Sequence, residues 1–321
     1  MINEKPILSV VAPLYNEEET LPEFCRRLYK TLSEIGKTWE VIFVNDGSRD
    51  RSSRIIESQP SGNGQIKIIE FSRNFGHQAA VTAGIDNAMG SAIIVIDSDL
   101  QDPPEIIPKM IRRWEEGIDV IYAVRKERKE SWLKRTCYYL FYRLLKFLSD
   151  TDIPLDSGDF CLISRPVAEQ LSRLKEYRPF VRGLRAWVGF NQEPLEYERD
   201  ARFAGAEKYS LIKLLRLAFD GLLSFSYFPL RLMLLMGLIV LAAGFADATC
   251  ICYLRLFNNQ LITGTAGLTV LVLFLGGIIL LSLGLIGEYI GRLYDEVKGR
   301  PNYIIRQIIK IDSNVRLGSC I

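Results

Sequence analysis

The chain has 321 residues, 48% of them hydrophobic, and its 40 basic and 38 acidic residues leave a net charge of +2. So small a charge argues against a nucleic-acid-binding protein, and the length suits one large domain or two smaller ones. The six cysteines form no CxxC pair, which indicates free thiols in a reducing compartment. The first residues lack the apolar core of a signal peptide, so we expect the N-terminal part to stay in the cytoplasm.

Apolar strands alternate with helices over the first 125 residues. The strands are expected at residues 7–12, 39–44, 66–71, 93–96 and 119–123. Helices are expected between them, two of them at 21–35 and from 78 to about 89. Such alternation gives a mostly parallel sheet with right-handed crossovers, so the sequence predicts a doubly wound α/β domain.

The fourth of these strands runs directly into two carboxylates, Asp97 and Asp99. In a doubly wound sheet the carboxyl ends of the strands bind ligands, so these side chains are expected in a crevice. An Asp-x-Asp pair there can hold a hard divalent cation, which in turn binds the phosphates of a nucleotide. An acidic turn that merely closes a strand is the alternative interpretation.

Three other features are candidates for the same crevice. Asp156 and Asp159 bracket a Ser-Gly turn that enters another apolar strand, and residues 199–210 form a basic loop suited to closing over an anion. His77, the only histidine, argues against a zinc site. We interpret it as a hydrogen-bonding turn residue that is also a candidate contact for a nucleotide or sugar. Residues 195–197 are expected to form an edge strand.

The second half of the chain contains amphipathic and apolar helices. The basic, leucine-rich segment 131–148 favours a helix at a membrane interface over a core helix, and 210–225 is also amphipathic. Two apolar runs, about 232–254 and 265–287, are each long enough to cross a bilayer. They predict a helical hairpin.

Basic residues are concentrated outside this hairpin, at Arg231 before it and at Arg292, Lys298 and Arg300 after it. This excess predicts that both chain ends are cytoplasmic. Small residues in both spans permit close helix packing, so a homo-oligomer is expected.

Four ordered motifs carry a resemblance to a known family. They occupy residues 10–17, 44–48, 97–103 and 156–160. Together with the two apolar spans they resemble the family 2 glycosyltransferases that load polyprenyl phosphates. The best match is the bactoprenol (undecaprenyl-phosphate) glucosyltransferase branch, which is related to dolichol-phosphate mannose synthase. The resemblance implies a GT-A fold and a reaction that inverts the anomeric centre.

The resemblance also implies residues for the donor. Those for its base and ribose are Pro13, Tyr15, Glu17 and Asp46. Those for Mg²⁺ or Mn²⁺ and the diphosphate are Asp97, Asp99 and Gln101. A basic loop with Arg202 and Lys208 would close over the donor.

For the acceptor, the resemblance implies that Arg125 bridges toward the donor diphosphate and Arg135 binds the lipid phosphate. Either Asp156 or Asp159 would orient the attacking group or accept a residual proton. Cys161 stands where relatives often carry arginine, so a phosphate contact at that position is in doubt.

The implied organisation places a cytoplasmic GT-A domain at 1–205, an interface helix at 206–228, two membrane helices within 229–290 and a cytoplasmic tail at 291–321. The implied reaction moves glucose from UDP-glucose to undecaprenyl phosphate at the inner (plasma) membrane. GDP-mannose or UDP-aminoarabinose is the alternative donor. A processive polysaccharide synthase is disfavoured because the chain lacks a Gln-x-x-Arg-Trp motif, and intact Asp97 and Asp99 argue against a non-catalytic scaffold.

Overall fold

The computed structural model describes residues 6–59, 64–125, 157–174, 176–177, 179–197, 228–258 and 265–311. These residues fall into two compact units. One unit holds the described residues up to Tyr197 and those from Arg300 onward, and the other holds the helices between Phe228 and Gly299. The predicted interface helices and the basic loop at 199–210 lie outside the described residues.

An eight-stranded sheet forms the centre of the first unit. Its strands are β1 (Leu8–Leu14), β2 (Trp39–Asn45), β3 (Gln65–Phe71), β4 (Ala92–Val95), β5 (Val120–Arg125), β6 (Ser157–Ser164), β7 (Gln192–Tyr197) and β8 (Ile305–Ile311). Their order across the sheet is β7-β5-β6-β4-β1-β2-β3-β8.

The sheet is parallel in its centre and mixed toward both sides. Strand β1 runs parallel to β2 and β4, and β2 runs parallel to β3, which confirms the parallel arrangement predicted for the first four strands. Strand β6 is antiparallel to β4 and β5, and β8 is antiparallel to β3. The predicted edge strand lies within β7, at one end of the described sheet.

Helices connect the strands of this unit and cover both faces of the sheet. They are α1 (Leu21–Ile35), α2 (Ser52–Ser58), α3 (His77–Asn87), α4 (Ile107–Glu115), α5 (Arg165–Arg173) and α6 (Val181–Trp187), with a 3₁₀ turn at Pro104–Ile106. The second unit contributes α7 (Phe228–Asn258) and α8 (Thr265–Val297).

Helix α1 has the predicted bounds because its sequence signals both ends. Proline occupies its first turn, and Gly36 follows its end with the left-handed φ of 70°. Its buried residues, which include Leu21, Phe24, Leu28 and Leu32, recur every three or four positions. This spacing gives one apolar face to the sheet.

Two hydrophobic clusters lie on opposite sides of the sheet because neighbouring strand residues point to opposite faces. Val10 and Ala12 belong to one cluster and Val11 to the other. Strand β4 is buried along its whole length, as predicted for a strand covered on both faces. Among the described cysteines, Cys25 and Cys161 are free and buried, as expected for thiols.

Strand β8 was not predicted, because its residues were expected to lie in a C-terminal tail. It pairs with β3 from Ile66 opposite Ile311 to Phe71 opposite Ile305. Ile309 and Ile311 pack against one hydrophobic cluster, and Ile305 packs against the other. This C-terminal segment is therefore part of the sheet.

The two helices of the second unit contain the predicted apolar spans. Among the described helices, one stretch, Phe274–Val297, is long and apolar enough to cross a membrane, with a mean hydropathy of 1.8 and no part of it buried. Met233–Ala246 in α7 is a shorter apolar stretch. Glu288, near the end of the second predicted span, pairs with Arg292 one turn later at 3.2 Å.

Candidate active site

The acidic turn after β4 is held against the end of the neighbouring strand β1. The Ser98 hydroxyl donates to the Pro13 carbonyl oxygen at 3.0 Å, and the Gln101 amide donates to Asp99 Oδ1 at 3.1 Å. Leu100 has a φ of 61°, a strained value for a residue with a side chain, and its buried side chain holds it there. The turn is therefore kept in one shape. Gln101, which was predicted for the metal and diphosphate, is itself buried.

Asp97 is a carboxylate of this turn with an oxygen atom that accepts no hydrogen bond from the described residues. Its Oδ1 atom is buried and has no hydrogen-bond partner among the described residues, and the nearest cation, His77 Nε2, is 3.6 Å away. Burial raises the pKa of Asp97 to about 7, and the charges of Asp159, Asp102 and Asp99 act in the same direction against His77.

An oxygen site short of positive charge fits a hard divalent cation such as Mg²⁺ or Mn²⁺. The described residues contain no group of three or more His, Cys, Asp and Glu side chains arranged to hold a metal ion by themselves. Asp97 and Asp99 would therefore hold such a cation together with oxygen ligands from a bound molecule or water.

Asp159 lies on β6, the strand next to β4, and is paired within the protein. Arg182 of α6 binds it with two hydrogen bonds, Nε to Oδ1 at 2.6 Å and Nη2 to Oδ2 at 2.8 Å. His77 Nε2 lies 3.2 Å from the same Oδ2. Burial opposes the charge of Asp159, but Arg182 and His77 outweigh it and hold the pKa of Asp159 well below its ordinary range.

His77 joins the two acidic strand ends. Burial by itself would lower its pKa, but the hydrogen bond with Asp159 and the charge of Asp97 raise it to about 9. The ring is therefore mostly a cation at neutral pH. Because Asp159 stays ionised and doubly bonded to Arg182, the geometry favours a positioning role for Asp159 over proton transfer.

Sequence reasoning missed Arg182 and undervalued His77. His77 is the first residue of α3, so the predicted turn position is close, but its two carboxylate neighbours come from other strands. Arg182 belongs to no motif. The only sequence signal for it was indirect, since a buried acid such as Asp159 needs a cationic partner.

The turns after β1 and β2 are joined by hydrogen bonds in both directions. The Asn16 amide donates to the Ser48 hydroxyl at 3.0 Å, and the Arg49 amide donates to Asn16 Oδ1 at 2.9 Å. Gly47 has a φ of 72°, and a Cβ there would lie 2.8 Å from the backbone carbon of Arg73. Glycine is therefore needed where the turn after β2 meets the turn after β3.

Asp46 supports the next turn. Its side chain accepts hydrogen bonds from the amides of Phe75 at 2.6 Å and Gly76 at 2.9 Å, and the residue is 3% exposed. The Asp46 carboxylate therefore holds the backbone of the turn after β3 in place. Direct contact between Asp46 and a base or ribose stays a prediction.

A polar cavity of about 410 Å³ opens beside these turns. Its lining residues are Tyr15, Asn45, Gly47, Ser48, Arg49, Asp50, Ser53, Arg54, Glu70, Phe71, Ser72, Arg73, Asn74 and Arg306. Tyr15, one of the residues predicted to bind the base and ribose of the donor, is 40% exposed. Pro13 is buried, and Glu17 accepts a hydrogen bond from the Thr20 hydroxyl at 3.1 Å.

Several predicted site residues lie outside the described parts of the chain: Asp156, Arg135, Arg202 and Lys208. Arg125 ends β5, opposite Tyr197 in the sheet register. Cys161 is buried in a hydrophobic cluster, and burial raises the pKa of its thiol. The doubt about a phosphate contact there came from cysteine standing in place of arginine, and burial of the thiol in the core is a second reason against that contact.

Comparisons with known proteins decide the family. The model of glycosyl transferase family 2 matches residues 9–172, and that of the GtrB C-terminal hairpin matches residues 228–293. The chain belongs to glycosyltransferase family 2. It is a glycosyltransferase, which confirms the predicted class of enzyme and the GT-A fold. The hairpin match and the apolar stretch in α8 indicate association with a membrane.

Curated relatives of this glycosyltransferase match almost their full length. An uncharacterized glycosyltransferase of Bacillus subtilis, YkcC, is 50% identical over 306 residues, 95% of each chain. The prophage bactoprenol glucosyl transferase homolog of Escherichia coli is 41% identical over 94% of this chain and 99% of its own. The SfII prophage-derived bactoprenol glucosyl transferase of Shigella flexneri is 42% identical over 94% and 97%.

Solved structures are more distant. Glucosyl-3-phosphoglycerate synthase from Mycobacterium tuberculosis, in complex with Mn²⁺, UDP-glucose and phosphoglyceric acid, gives a TM-score of 0.46 at 20% identity. The match covers 68% of this chain and 79% of that one. Similarity at this level carries no argument about the ligands of this glycosyltransferase.

Proposed function

We propose that this glycosyltransferase moves glucose from UDP-glucose to undecaprenyl or another polyprenyl phosphate, with inversion at the anomeric carbon. The observation that carries the proposal is likeness to bactoprenol glucosyl transferases at 41–42% identity over 94% of the chain. The likeness includes the C-terminal hairpin as well as the catalytic domain. A soluble nucleotide sugar and a lipid phosphate can meet only at a domain held against a bilayer.

The donor diphosphate is proposed to bind at the acidic turn. Asp97 and Asp99 would hold Mg²⁺ or Mn²⁺ with Gln101 beside them. The buried Oδ1 of Asp97, which has no hydrogen-bond partner among the described residues, supports this assignment. When bound, the cation would offset the negative charge that develops on the leaving UDP. Tyr15 and the cavity after β1–β3 would take the nucleoside, and the loop of Arg202 and Lys208 would close over the donor.

The acceptor needs cations more than it needs a base. A phosphate monoester has a second pKa near 6, so most of the lipid phosphate is a dianion at pH 7 and has an oxygen ready to attack. The main obstacle is its repulsion from the donor diphosphate. Arg125 and Arg135 are proposed to offset this repulsion, with His77 and Arg182 adding positive charge around Asp159.

In the proposed reaction, an oxygen of the lipid phosphate attacks the anomeric carbon of glucose as its bond to UDP breaks. The described residues act by position. Asp159 fixes Arg182 and His77, and Asp99 caps its own turn through the Gln101 amide. Either Asp159 or Asp156, the two acids that flank the Ser-Gly turn, would orient the attacking oxygen.

The proposed site of action is the cytoplasmic face of the inner (plasma) membrane. Helices α7 and α8 would each cross the bilayer, with both chain ends in the cytoplasm, since basic residues are concentrated outside the hairpin. Glycines such as Gly237, Gly244, Gly276 and Gly277 would allow α7 and α8 to pack into a homo-oligomer.

A transfer assay tests this function. Purified chain, undecaprenyl phosphate and Mg²⁺ are incubated with UDP-glucose, GDP-mannose or UDP-aminoarabinose, and lipid products are separated. We expect one hexose on the lipid with UDP-glucose. Product from another donor alone would overturn the sugar assignment, chains of several sugars would favour a processive synthase, and no lipid product with any donor would overturn the reaction.

A further inference from the structure

The C-terminal strand β8 contains a bulge next to the cavity. From Ile66 to Glu70 of β3, each residue faces one residue of β8 in regular order. Glu70 faces Gln307, but Phe71 faces Ile305, so Arg306 is an extra residue without a partner in the ladder. A bulge bends its strand and redirects a side chain, and such bulges are common beside active sites.

Contacts on either side fix the position of this bulge. The Gln307 side chain donates to Glu70 Oε2 at 2.7 Å, and the Ser72 amide donates to the Ile304 carbonyl at 3.0 Å. Tyr303 stacks on Phe71 with ring centres 5.3 Å apart, and its hydroxyl donates to Asp86 at 2.9 Å. The segment that presents Arg306 is therefore held to the sheet on both sides of the bulge.

Arg306 brings a guanidinium group to the cavity that also contains Tyr15 and Ser48. In the described parts of the chain, its side chain makes no ion pair and no hydrogen bond. Both acidic residues of the lining are already used: Asp50 accepts from the Glu18 amide, and Glu70 accepts from Ser53 and Gln307. The guanidinium donors thus face a cavity whose carboxylates are committed elsewhere.

The order of strands sets which part of a donor would reach Arg306. Across the sheet the strand ends run from Asp159 on β6, through Asp97 after β4, to the turns after β1, β2 and β3, and finally to β8. A diphosphate held at Asp97 and Asp99 would leave the cavity beside β1, β2, β3 and β8 as the place for the nucleoside. The base, at the far end of the nucleotide, would then lie on the β3–β8 side.

We propose that Arg306 selects the base of the donor nucleotide, favouring a base with a ring carbonyl such as uracil over one with an amino group such as cytosine. The inference rests on the proposed function, since it assumes a nucleotide sugar. Guanidinium only donates hydrogen bonds, so it is matched by the O4 oxygen of uracil and mismatched with the N4 amino group of cytosine. Neither matched family model covers Arg306.

Binding of UDP and CDP to the full-length chain in detergent with Mg²⁺, measured by calorimetry, tests the proposal. A hydrogen bond to a charged group contributes enough that Arg306→Ala should bind UDP about tenfold more weakly. CDP binding should change little, so the preference for UDP should collapse. Arg306→Lys keeps the charge but loses the planar fork, and should recover only part of that preference.

Lys310→Ala is the matched control, because it removes a positive charge from an exposed position of the same strand outside the cavity. It should leave both affinities unchanged. Equal weakening of UDP and CDP by Arg306→Ala would overturn the proposal in favour of a phosphate or ribose contact, and unchanged UDP affinity would overturn it outright. These outcomes are separate from the transfer assay, which tests the reaction with wild-type chain alone.

Discussion

Two groups of side chains along the sheet differ in how their charges are satisfied: an acidic end with Asp97, Asp159, His77 and Arg182, and an arginine end with Glu70 and Arg306. At the acidic end, Asp159, Arg182 and His77 bind one another, and the buried Oδ1 atom of Asp97 has no hydrogen-bond partner among the described residues. At the β3–β8 end, the carboxylates are used up in the protein and the Arg306 guanidinium has no described partner. The acidic end is therefore arranged before any ligand arrives, whereas the arginine end depends on the ligand for its pairing.

The largest expected effect comes from the acidic end. Asp99→Asn keeps the size of the side chain but removes a charge from the proposed metal site. Transition-state stabilisation should fall by about 3 kcal/mol or more, seen as a lower kcat in the transfer assay. Excess chelator should do the same to the wild type.

Glu105→Gln is the control for this variant, because Glu105 is exposed and its carboxylate is paired with Arg27. Its kcat should match the wild type. Full activity of the wild type in excess chelator would rule out the metal site and would leave the acidic end as a purely structural turn.

The next effect tests whether the acidic end is held by its own ion pair. Arg182→Ala leaves the buried Asp159 carboxylate with His77 as its cation, and should lower the free energy of unfolding by about 2 kcal/mol, since Arg182 is partly exposed. Denaturant unfolding in detergent measures it. Arg113→Ala, which breaks exposed pairs with Glu116 and Glu193, should cost less than about 0.5 kcal/mol.

The same pair gives a pH dependence of defined direction. Because the pKa of Asp159 is lower in the folded state, its stabilisation is complete above the unfolded value of about 3.9 and is lost as the pH falls toward the folded value. The stability gap between wild type and Arg182→Ala should therefore narrow below about pH 4. A gap that is constant from pH 7 to pH 3 would contradict the role given to Arg182.

The sequence predicts contacts between neighbouring residues better than contacts between distant parts of the chain, and the two ends differ in this respect. The acidic turn was predictable, because the apolar run before Asp97 identifies a buried strand and the sheet rule gives the position of its carboxyl end. The ion pair of Asp159 was not, because Arg182 lies 23 residues away on a helix without a motif. A carboxylate pattern shows where charge is needed but not which arginine supplies it.

The arginine end was harder to predict, because β8 pairs with a strand about 240 residues earlier in the chain. Its sequence, Ile-Arg-Gln-Ile-Ile-Lys-Ile, is compatible with an edge strand but carries no information about its partner. The bulge depends on the register between the two strands. Asp46 shows the same limit, since only the folded turn reveals that the amides of Phe75 and Gly76 occupy its oxygens.

The smallest expected effect is a loss of stability at the arginine end. There the edge strand β8, rather than an ion pair, fixes the geometry. Tyr303→Phe removes the hydrogen bond to Asp86 but keeps the ring stacked on Phe71, so it should cost about 1 kcal/mol of unfolding free energy. Tyr303→Ala also removes the stacking and should cost more. Because the segment that carries Arg306 is also held through Gln307 and Ser72, Tyr303→Phe should keep the preference for UDP over CDP, as measured by calorimetry. Two results together would contradict this inference: loss of the preference for UDP in Tyr303→Phe, and equal unfolding free energies for Tyr303→Phe and Tyr303→Ala. The Tyr303 hydroxyl would then act on the ligand, and β8 would not be the rigid support inferred from its contacts.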